Sequence, residues 1–311
     1  MTTPAIQWYP GHIAKAQRQL QEQIKKVDVI LEVRDARIPL STHHPEVAGW
    51  IGNKMRLLIL NRVDMITPEV RQLWTDWFRT QGESVYYADA RQGTGVAAIM
   101  KAAQKAGIAV NQRRSDRGML PRAVRAVVIG FPNVGKSALI NRLLKKRVVE
   151  SARKPGVTRQ LRWVRISDEL ELLDAPGIIP GKLHDQESAV KLAICDDIGE
   201  AGYDRQRITA AMVELIKKLG YQESLHEKYA IDPLSMTGED FIHAVSNDKY
   251  LGDLERGSHN ILNNFRTGLL GAIPLELPPN CQYRPTLQQP SPVSEILPDN
   301  MVTEHSCSST I

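Results

Sequence analysis

Residues 123–144 read AVRAVVIGFPNVGKSALINRLL, and this stretch decides the fold. Its first seven residues are apolar apart from a single arginine, and its last seven place apolar residues at helical spacing. Between them lies the octet Gly130–Ser137, which fits the pattern G-x-x-x-x-G-K-S. In that motif a glycine loop joins a strand to a helix, and backbone N–H groups together with the helix N-terminus hold nucleotide phosphates. The stretch therefore predicts a phosphate-binding loop at the carboxyl end of a buried strand.

This loop and a later strand end supply the groups that a nucleoside triphosphate needs. Lys136 can reach the β- and γ-phosphates, and the Ser137 hydroxyl can ligate Mg²⁺. Asp174 ends an apolar run and would hold Mg²⁺ through water, while the backbone N–H of Gly177 can contact the γ-phosphate. The loop residues expected to touch the nucleotide are Asn133, Val134, Gly135, Lys136, Ser137 and Ala138.

A second motif, Asn61-Arg62-Val63-Asp64, precedes the phosphate loop and can read a guanine base. The Asp64 carboxylate can accept from both N1–H and the exocyclic amine of guanine, whereas adenine has neither donor there. Asn61 would support the same loop, and Asp89-Ala90-Arg91 follows the next strand, where it can offer a backbone N–H to the guanine oxygen. By itself N-x-x-D more often marks a turn. Its position at the carboxyl end of an apolar run favours base recognition.

The order of the two motifs indicates a rearranged chain, because an ordinary GTPase has its base motif well after its phosphate loop. We predict an α/β fold, a circularly permuted P-loop GTPase domain with a mostly parallel, doubly wound sheet, followed by a small all-helical domain. The predicted strands are 27–33, 55–60, 84–88, 123–129, 160–166 and 170–173, and the clearest helices are 12–26 and 208–219. The predicted divisions are a GTPase domain over 1–183 with a linker at 107–122, a helical domain over 184–280 and a disordered tail over 281–311.

The composition is that of a globular protein, with 42% hydrophobic and 24% charged residues. No apolar run approaches the roughly 20 residues of a membrane span, so we expect no membrane partner. The three cysteines have neither a disulfide framework nor a zinc-ligand spacing. The first ten residues lack the features of a secretory signal. Together these observations lead us to expect a monomer in a reducing, bacterial cytoplasm.

The net charge of +5 conceals a division along the chain. Residues 101–165 hold seventeen basic and two acidic residues, a net +15, whereas residues 184–280 hold nine basic and sixteen acidic residues, a net −7. A basic surface of that size suits a polyanionic partner such as RNA. A solvated surface around an ordinary nucleotide site is the alternative.

The motifs taken together resemble the circularly permuted GTPases, and among them the RbgA/YlqF family of ribosome-assembly GTPases. The resemblance covers roughly residues 5–280. The motifs that carry it are QWYPGHIAKA at 7–16, DARIP at 35–39, NRVD at 61–64, FPNVGKS at 131–137, PGVTR at 155–159, DAPGI at 174–178 and NNFRTGLLG at 263–271. Two positions depart from the family pattern. Arg62 replaces the usual lysine, and Asp89-Ala90 stands where the family most often has Ser-Ala.

The resemblance implies a GTPase that converts GTP to GDP and phosphate and binds the maturing large ribosomal subunit and its rRNA, with the GTP state controlling binding and release. It also implies that Thr158 is the switch threonine over Mg²⁺ and the γ-phosphate. Asn133 could hold a K⁺ ion in the role of an arginine finger. Within the acidic helical domain, the cations that could contact RNA are Arg205, Arg207, Lys217 and Lys218, although a solvated helix face would explain them too.

Hydrolysis requires a group that orients the attacking water, and the sequence lacks the usual one. The residue after D-x-x-G, a glutamine in Ras-type enzymes, is Ile178. The permutation starts the chain near the point where residues 178–184 leave the nucleotide, which brings His12 within reach, and the resemblance also implies a water-orienting role for His12. A structural or capping histidine is the alternative. We expect a low intrinsic rate that the ribosomal particle raises by ordering these groups.

Two other functions fit the nucleotide motifs. The chain could be a GTPase of another RNA or tRNA-modification pathway, since the GTPase motifs alone do not exclude one. It could also be a nucleotide-gated binding module with negligible turnover, which the isoleucine at 178 would explain.

Overall fold

A computed structural model describes residues 13–144, 162–179, 185–199, 202–281, 283 and 285. Six strands form a single sheet: β1 (Val29–Asp35), β2 (Met55–Asn61), β3 (Val85–Ala88), β4 (Val124–Ile129), β5 (Arg162–Arg165) and β6 (Leu170–Asp174). Their spatial order is β3-β2-β1-β4-β6-β5, and every neighbouring pair is parallel except the antiparallel pair β5 and β6. The mostly parallel sheet is as predicted.

Helices cover both faces of the sheet. The helices of this part are α1 (Ile13–Ile24), α2 (Val47–Ile51), α3 (Pro68–Thr80), α4 (Val96–Ser115) and α5 (Lys136–Leu143). On one face α1 and α2 pack against residues such as Ile30 and Val127, and α3 packs against Leu58. On the other face α4 and α5 pack against residues such as Leu31 and Val128. Because both faces are covered, all seven residues of β1 are buried, as expected for a central parallel strand.

The topology brings the strand ends that matter to one edge. Strands β1, β2, β3, β4 and β6 run parallel, so their carboxyl ends lie together, and β4 sits between β1 and β6. In an open α/β sheet this edge is where ligands bind. The phosphate loop follows β4, the N-x-x-D motif follows β2, and Asp174 ends β6.

The remaining elements are helical: α6 (Gln186–Ile194), α7 (Arg205–Lys218), α8 (Gln222–Tyr229), α9 (Gly238–Tyr250) and α10 (Leu254–Thr267). Within 185–199 and 202–281 the structure contains no strand. Side-chain caps begin four of these helices, since Asp185, Asp204, Thr237 and Asp253 each accept a backbone N–H of the first turn. Apolar residues of these helices, such as Phe241, belong to the same continuous core as the α4 face of the sheet. No helix in the described part of the chain has both the length and the apolar character needed to cross a membrane.

The linker predicted at 107–122 is wrong over its first half, because α4 continues to Ser115. Gly107 there is not a flexible joint. A Cβ on Gly107 would lie 2.1 Å from the Val124 Cγ2 atom, so the glycine allows α4 to pack closely on β4. The irregular connection is confined to residues 116–123.

Smaller differences concern element ends. Helix α1 ends at Ile24 rather than at Lys26, and β5 is shorter than the predicted 160–166, of which residues 160 and 161 lie outside the described residues. The predicted tail over 281–311 also lies outside them, apart from 281, 283 and 285.

Candidate functional site

The phosphate loop has a backbone that requires its glycines. Gly130 has φ 146°, and a Cβ there would lie 2.2 Å from the Val33 carbonyl oxygen. Gly135, at the start of α5, has φ 99°, and a Cβ there would lie 2.1 Å from the Asn61 Nδ2 atom. The two glycines therefore let the loop turn sharply and lie against β1 and the N-x-x-D motif.

Lys136 is held inside the loop. Its side chain is buried, and Nζ donates to the Phe131 carbonyl oxygen at 2.8 Å. Burial lowers the pKa of the Lys136 ammonium to about 8, although the negative charges of Asp174 and Asp197 oppose the shift. A phosphate oxygen could replace the carbonyl as the acceptor and would favour the charged lysine.

Ser137, Asp174 and Gly177 meet beside the same loop. The Ser137 hydroxyl donates to the Asp174 Oδ2 atom at 3.5 Å, and Asp174 is buried at the end of β6. A Cβ on Gly177 would lie 2.6 Å from the Cα atom of Pro132, so the D-x-x-G segment lies directly against the phosphate loop. A hydroxyl and a carboxylate fit Mg²⁺, which takes few protein ligands and completes its shell with phosphates and water. The described residues contain no cluster of three or more His, Cys, Asp or Glu that could hold a metal on its own.

Asn61 connects the base motif to its neighbours. Its Nδ2 atom donates to the Val134 carbonyl oxygen at 2.8 Å, and its Oδ1 atom accepts from the Ala90 N–H at 3.0 Å. Arg62 adds a second connection, because Nη2 donates to the Asn133 carbonyl oxygen at 2.7 Å. The residues predicted to contact the base and the phosphates are thus joined by direct hydrogen bonds.

Asp64 and the Asp89 segment lie on the same side of the site. Burial, together with the nearby Asp89 carboxylate, raises the pKa of Asp64. The Asp89 side chain accepts from the Arg91 N–H at 2.7 Å, and the Ala90 N–H is already bound to Asn61. The two N–H groups are therefore engaged within the protein, and a guanine contact from this segment stays a prediction.

Two predicted catalytic residues, His12 and Thr158, lie outside the described residues. Ile178 is 1% exposed, and its N–H donates to the Gly130 carbonyl oxygen at 3.1 Å. Its side chain is packed in the core next to α1 and has no group that could orient a water.

The structure adds a buried ion pair that motif reading did not assign to the site. Arg37 is fully buried and binds Asp35 through two nitrogens, Nε at 3.0 Å and Nη2 at 2.7 Å. Burial alone would raise the pKa of Asp35, but Arg37 and Arg62 outweigh it and lower that pKa. Arg62 reaches Asp35 with Nε at 3.3 Å. The available signal was the sequence Asp35-Ala36-Arg37, which places two opposite charges at the carboxyl end of a mostly apolar strand.

The Asp35–Arg37 pair also contacts the segment that follows α6. Arg37 Nη2 donates to the Cys195 carbonyl oxygen at 3.4 Å, and the Asn133 Nδ2 atom donates to the Asp196 carbonyl oxygen at 2.6 Å. Arg266 binds the carbonyl oxygens of Ala193 and Ile194 at 2.7 and 2.9 Å. The helical part of the chain therefore touches the phosphate loop directly.

Asp197 is the most unusual group at this junction. It is fully buried, and neither carboxylate oxygen has a hydrogen-bond partner among the described residues. Burial raises the pKa of Asp197 well above its ordinary value, the Asp35 charge adds to the effect, and Arg62 and Arg37 oppose it. Sequence reading could not find Asp197, because two adjacent acidic residues in a helical region carry no motif.

The cations predicted to meet RNA from the helical part are partly used within the protein. Arg205 pairs with Glu255, and Lys217 pairs with Glu214 and also donates to the Met236 carbonyl oxygen at 2.8 Å. Two of the four predicted RNA-binding cations are therefore already engaged in ion pairs within the protein.

A phosphate loop, a D-x-x-G segment and an N-x-x-D motif at the carboxyl edge of one sheet, with the base motif first in the chain, define a circularly permuted P-loop GTPase. The family described as 50S ribosome-binding GTPase matches residues 125–227. The ribosome biogenesis GTPase A of Bacillus cereus is 34% identical over 279 residues, which are 88% of this chain and 94% of that protein. The chain belongs to the ribosome biogenesis GTPase A family.

Two further comparisons agree. The ribosome biogenesis GTPase A of Thermotoga maritima is 28% identical over 276 residues, covering 88% of this chain and 95% of that protein. The crystal structure of GNP-bound YlqF from T. maritima matches with a TM-score of 0.61 at 23% identity, over 85% of this chain and 99% of that one. The structural match supports the fold, including the helical part that follows the nucleotide-binding domain.

Proposed function

We propose that this chain is a GTP-hydrolysing assembly factor that binds the maturing large ribosomal subunit and its rRNA in the cytoplasm. The observation that carries the proposal is the contact of the helical part with the phosphate loop through Asn133 and Asp196. This contact joins the phosphate loop to the helical part, which would bind the ribosomal particle. Membership of the ribosome biogenesis GTPase A family supplies the particle.

In this proposal the site residues divide the work. Asp64 selects guanine, Asn61 holds the base loop, and the Asp89–Arg91 segment would release one of its bonded N–H groups to the guanine oxygen. Lys136 and the N–H groups of Asn133 to Ala138 bind the phosphates. Ser137, Thr158 and water held by Asp174 complete the Mg²⁺ shell, and the Gly177 N–H senses the γ-phosphate.

The water-orienting role falls to His12, since the buried Ile178 has no polar group to offer. Asn133 would use its amide oxygen for a K⁺ ion, because its amide nitrogen is bound to the Asp196 carbonyl oxygen. His12 and a K⁺ ion at Asn133 would give only slow GTP hydrolysis by themselves. The intrinsic rate is therefore low, and the ribosomal particle raises it.

The GTP state would control binding through the same junction. Phosphates drawn to Lys136 change the charge beside Asp197, and a γ-phosphate reorders the segment after Gly177, which leads into α6. A shift of α6 moves the whole helical part relative to the sheet, as two-state switches do. Release of the monomeric protein from the particle would follow hydrolysis.

The test is GTP hydrolysis with and without purified large ribosomal subunits, in K⁺ and in Na⁺ buffers. We expect subunits to raise the native rate at least tenfold and K⁺ to exceed Na⁺. We expect His12→Ala to reduce the stimulated rate by about 10²-fold or more, the range of a positioned acid–base group. Lys136→Ala serves as the inactive control.

Each result has a defined meaning. If no subunit preparation stimulates the native protein, the assembly-factor proposal is wrong. If His12→Ala matches the native rate, only the role of His12 is lost. If GTP binds without turnover under any condition, the buried Ile178 marks a nucleotide-gated binding module instead.

A further inference from the structure

Most basic side chains between 101 and 165 that the structure describes are occupied by the protein itself. The occupied cations are Arg114 on the Leu120 carbonyl oxygen, Arg122 on Asp28, Arg125 on Glu171, Lys136 on the Phe131 carbonyl oxygen, Arg142 on the Arg91 carbonyl oxygen and Arg165 on Asp168. Lys101, Lys105, Arg113 and Arg117 differ from these, since no carboxylate among the described residues forms an ion pair with them. Among the residues of this region that the structure describes, the unpaired positive charge therefore collects on α4 and the turn after it.

These four cations are exposed along α4 and the turn after it. Lys101, Lys105 and Ile108 follow one another at spacings of four and three residues, so they lie on the same face of α4. The opposite face, with residues such as Ala103, is buried against the sheet. Arg113, eight residues after Lys105, lies about 80° further round the helix, and Arg117 follows in the turn after α4. We call this surface the α4 patch, and it comprises Lys101, Lys105, Ile108, Arg113, Arg117 and Leu120.

The dimensions suit a nucleic-acid backbone. From Lys101 to Arg113 the patch extends about 18 Å at the rise of an α-helix, long enough to follow several phosphates. The only carboxylate between 101 and 121 is Asp116, which accepts a hydrogen bond from Gln112 at 2.9 Å. Arginine guanidinium groups bind phosphate oxygens in a planar, two-pronged geometry. The Glu169 carboxylate also reaches α4, where it accepts a hydrogen bond from Gln104 at 3.3 Å. The four cations therefore outnumber the carboxylates beside them.

The exposed apolar groups on the patch are sparse. Ile108 is 72% exposed on the helix, and Met119 and Leu120 are 41% and 83% exposed on the turn after it. Three apolar side chains at two places make a far smaller apolar patch than a stable protein interface requires. The patch has no aromatic side chain, so it offers no platform on which unpaired bases could stack. Among nucleic acids, these features favour a double helix that is read through its backbone.

We propose that the α4 patch binds the phosphate backbone of double-helical RNA, which rests on the proposed function in that the RNA would be part of the large subunit. The patch runs along the outside of the sheet, away from the groups that bind the nucleotide. It gives the GTPase domain its own RNA contact, independent of the helical part, where Arg205 and Lys217 are already paired.

The test compares two quadruple variants of the full chain. The patch variant is Lys101→Gln, Lys105→Gln, Arg113→Gln and Arg117→Gln. The control variant is Lys25→Gln, Arg79→Gln, Lys228→Gln and Lys249→Gln, which removes four exposed cations from other surfaces and changes the net charge equally. The affinity for a 20-base-pair RNA hairpin is measured by fluorescence anisotropy over a series of salt concentrations, and GTP affinity is measured alongside.

We expect the patch variant to lose at least tenfold in RNA affinity and the control variant to stay within twofold of the native protein. The slope of log affinity against log salt should fall by about 0.9 for each lost phosphate contact. Both variants should bind GTP as the native chain does. Equal losses in the two variants, or native RNA affinity in the patch variant, would overturn the proposal.

A single substitution separates RNA from other partners. Ile108→Lys adds a fifth cation in the middle of the patch, so it should tighten RNA binding. A protein partner that docks through Ile108 would be weakened by the same change. Vesicles containing phosphatidylglycerol test the remaining alternative, and patch-dependent binding to vesicles without RNA binding would contradict the RNA assignment.

The outcome is separable from that of the proposed function. If subunits fail to stimulate the native protein while patch-dependent RNA binding holds, the assembly-factor proposal is lost and the RNA surface stands. If subunits stimulate the patch variant as strongly as the native chain at every subunit concentration, the assembly-factor proposal stands and the RNA surface is wrong.

Discussion

Asn61 is the residue that connects the loops of the nucleotide site to one another. A single amide binds the Val134 carbonyl oxygen and the Ala90 N–H, so the loops that follow β2, β3 and β4 are held by one side chain. It is 3% exposed, which protects both hydrogen bonds from water. The position of the neighbouring Asp64 relative to the phosphate loop is therefore fixed before any nucleotide arrives.

Asp64→Asn should change the base that is accepted. An amide can donate to the second oxygen of xanthine and cannot accept two hydrogen bonds from guanine. We expect GTP affinity to fall about 10- to 100-fold, the equivalent of a charged hydrogen bond of about 1.5–3 kcal/mol. Xanthosine triphosphate should gain affinity, and competition binding with labelled GTP measures both effects.

Asp76→Asn is the matched control, because Asp76 is an exposed aspartate on α3 whose partner, Arg79, is also exposed. It should leave the nucleotide preference unchanged. An Asp64→Asn protein that still prefers GTP as strongly as the native chain would remove Asp64 from base recognition.

The residue before helix α4 is a glycine that no other amino acid could replace without strain. Gly95 has φ 76°, and a Cβ there would lie 1.9 Å from the Tyr87 carbonyl oxygen in β3. The glycine follows the Asp89 segment, which is closed by the bridge between Asp89 and Thr94. The start of the helix is therefore tied to the segment assigned to guanine.

Gly95→Ala should lower the free energy of unfolding by more than the positive φ angle alone explains. Gly82 provides the comparison, since it has φ 74° and a Cβ there would meet no other atom within 4 Å. Gly82→Ala should lower the free energy of unfolding by about 1–2 kcal/mol, the cost of a left-handed residue. Gly95→Ala should lose at least twice as much and weaken GTP binding, because the β3 backbone must move. Urea unfolding and GTP titration measure both, and equal losses in the two variants would contradict the role assigned to Gly95.

The sequence predicts the elements whose signals are local. The strand, glycine loop and helix over 123–144 are continuous in the chain, and the N-x-x-D motif is recognised by its place after an apolar run. The sequence does not predict α4 between 107 and 115, because the glycine and the charges there are typical of linkers while the reason for Gly107 lies in the distant Val124. Arg37 and Cys195 are 158 residues apart in the chain, so no local sequence pattern could predict their contact.

At the scale of the whole molecule, the segment after β1 holds the two ends of the helical part. The Arg37 carbonyl oxygen accepts from the N–H groups of Leu275 and Glu276, both at 3.0 Å. The Glu276 carboxylate in turn accepts from the Leu40 N–H at 2.8 Å. The Arg37 guanidinium also lies 5.3 Å from the centre of the Phe265 ring. Sheet and helices are thus fastened through a buried charge rather than through apolar contact alone.

Arg37→Met should loosen that junction. The substitution keeps an unbranched side chain but leaves Asp35 buried beside Arg62 alone, and breaking a buried pair costs about 3–5 kcal/mol. We expect the midpoint of urea unfolding to fall and GTP affinity to weaken, since Asp35 also contacts Arg62 of the base motif. Arg79→Met, at an exposed pair, should change stability by less than about 1 kcal/mol. Similar values for the two variants would show that Arg37 does not fasten the junction.

The sheet order has a consequence for the chain during translation. Strands β1, β2 and β3 leave the ribosome first, and the edge of β1 that later receives β4 is then unpaired. That edge is apolar on the face of Val29, Leu31 and Val33, and an unpaired edge with such a face invites mispairing until it is covered. The half with the predicted base motif is therefore made before the half with the phosphate loop. We expect a nascent chain to acquire affinity for GTP only after β4 has inserted beside β1 and β6 has closed the other side.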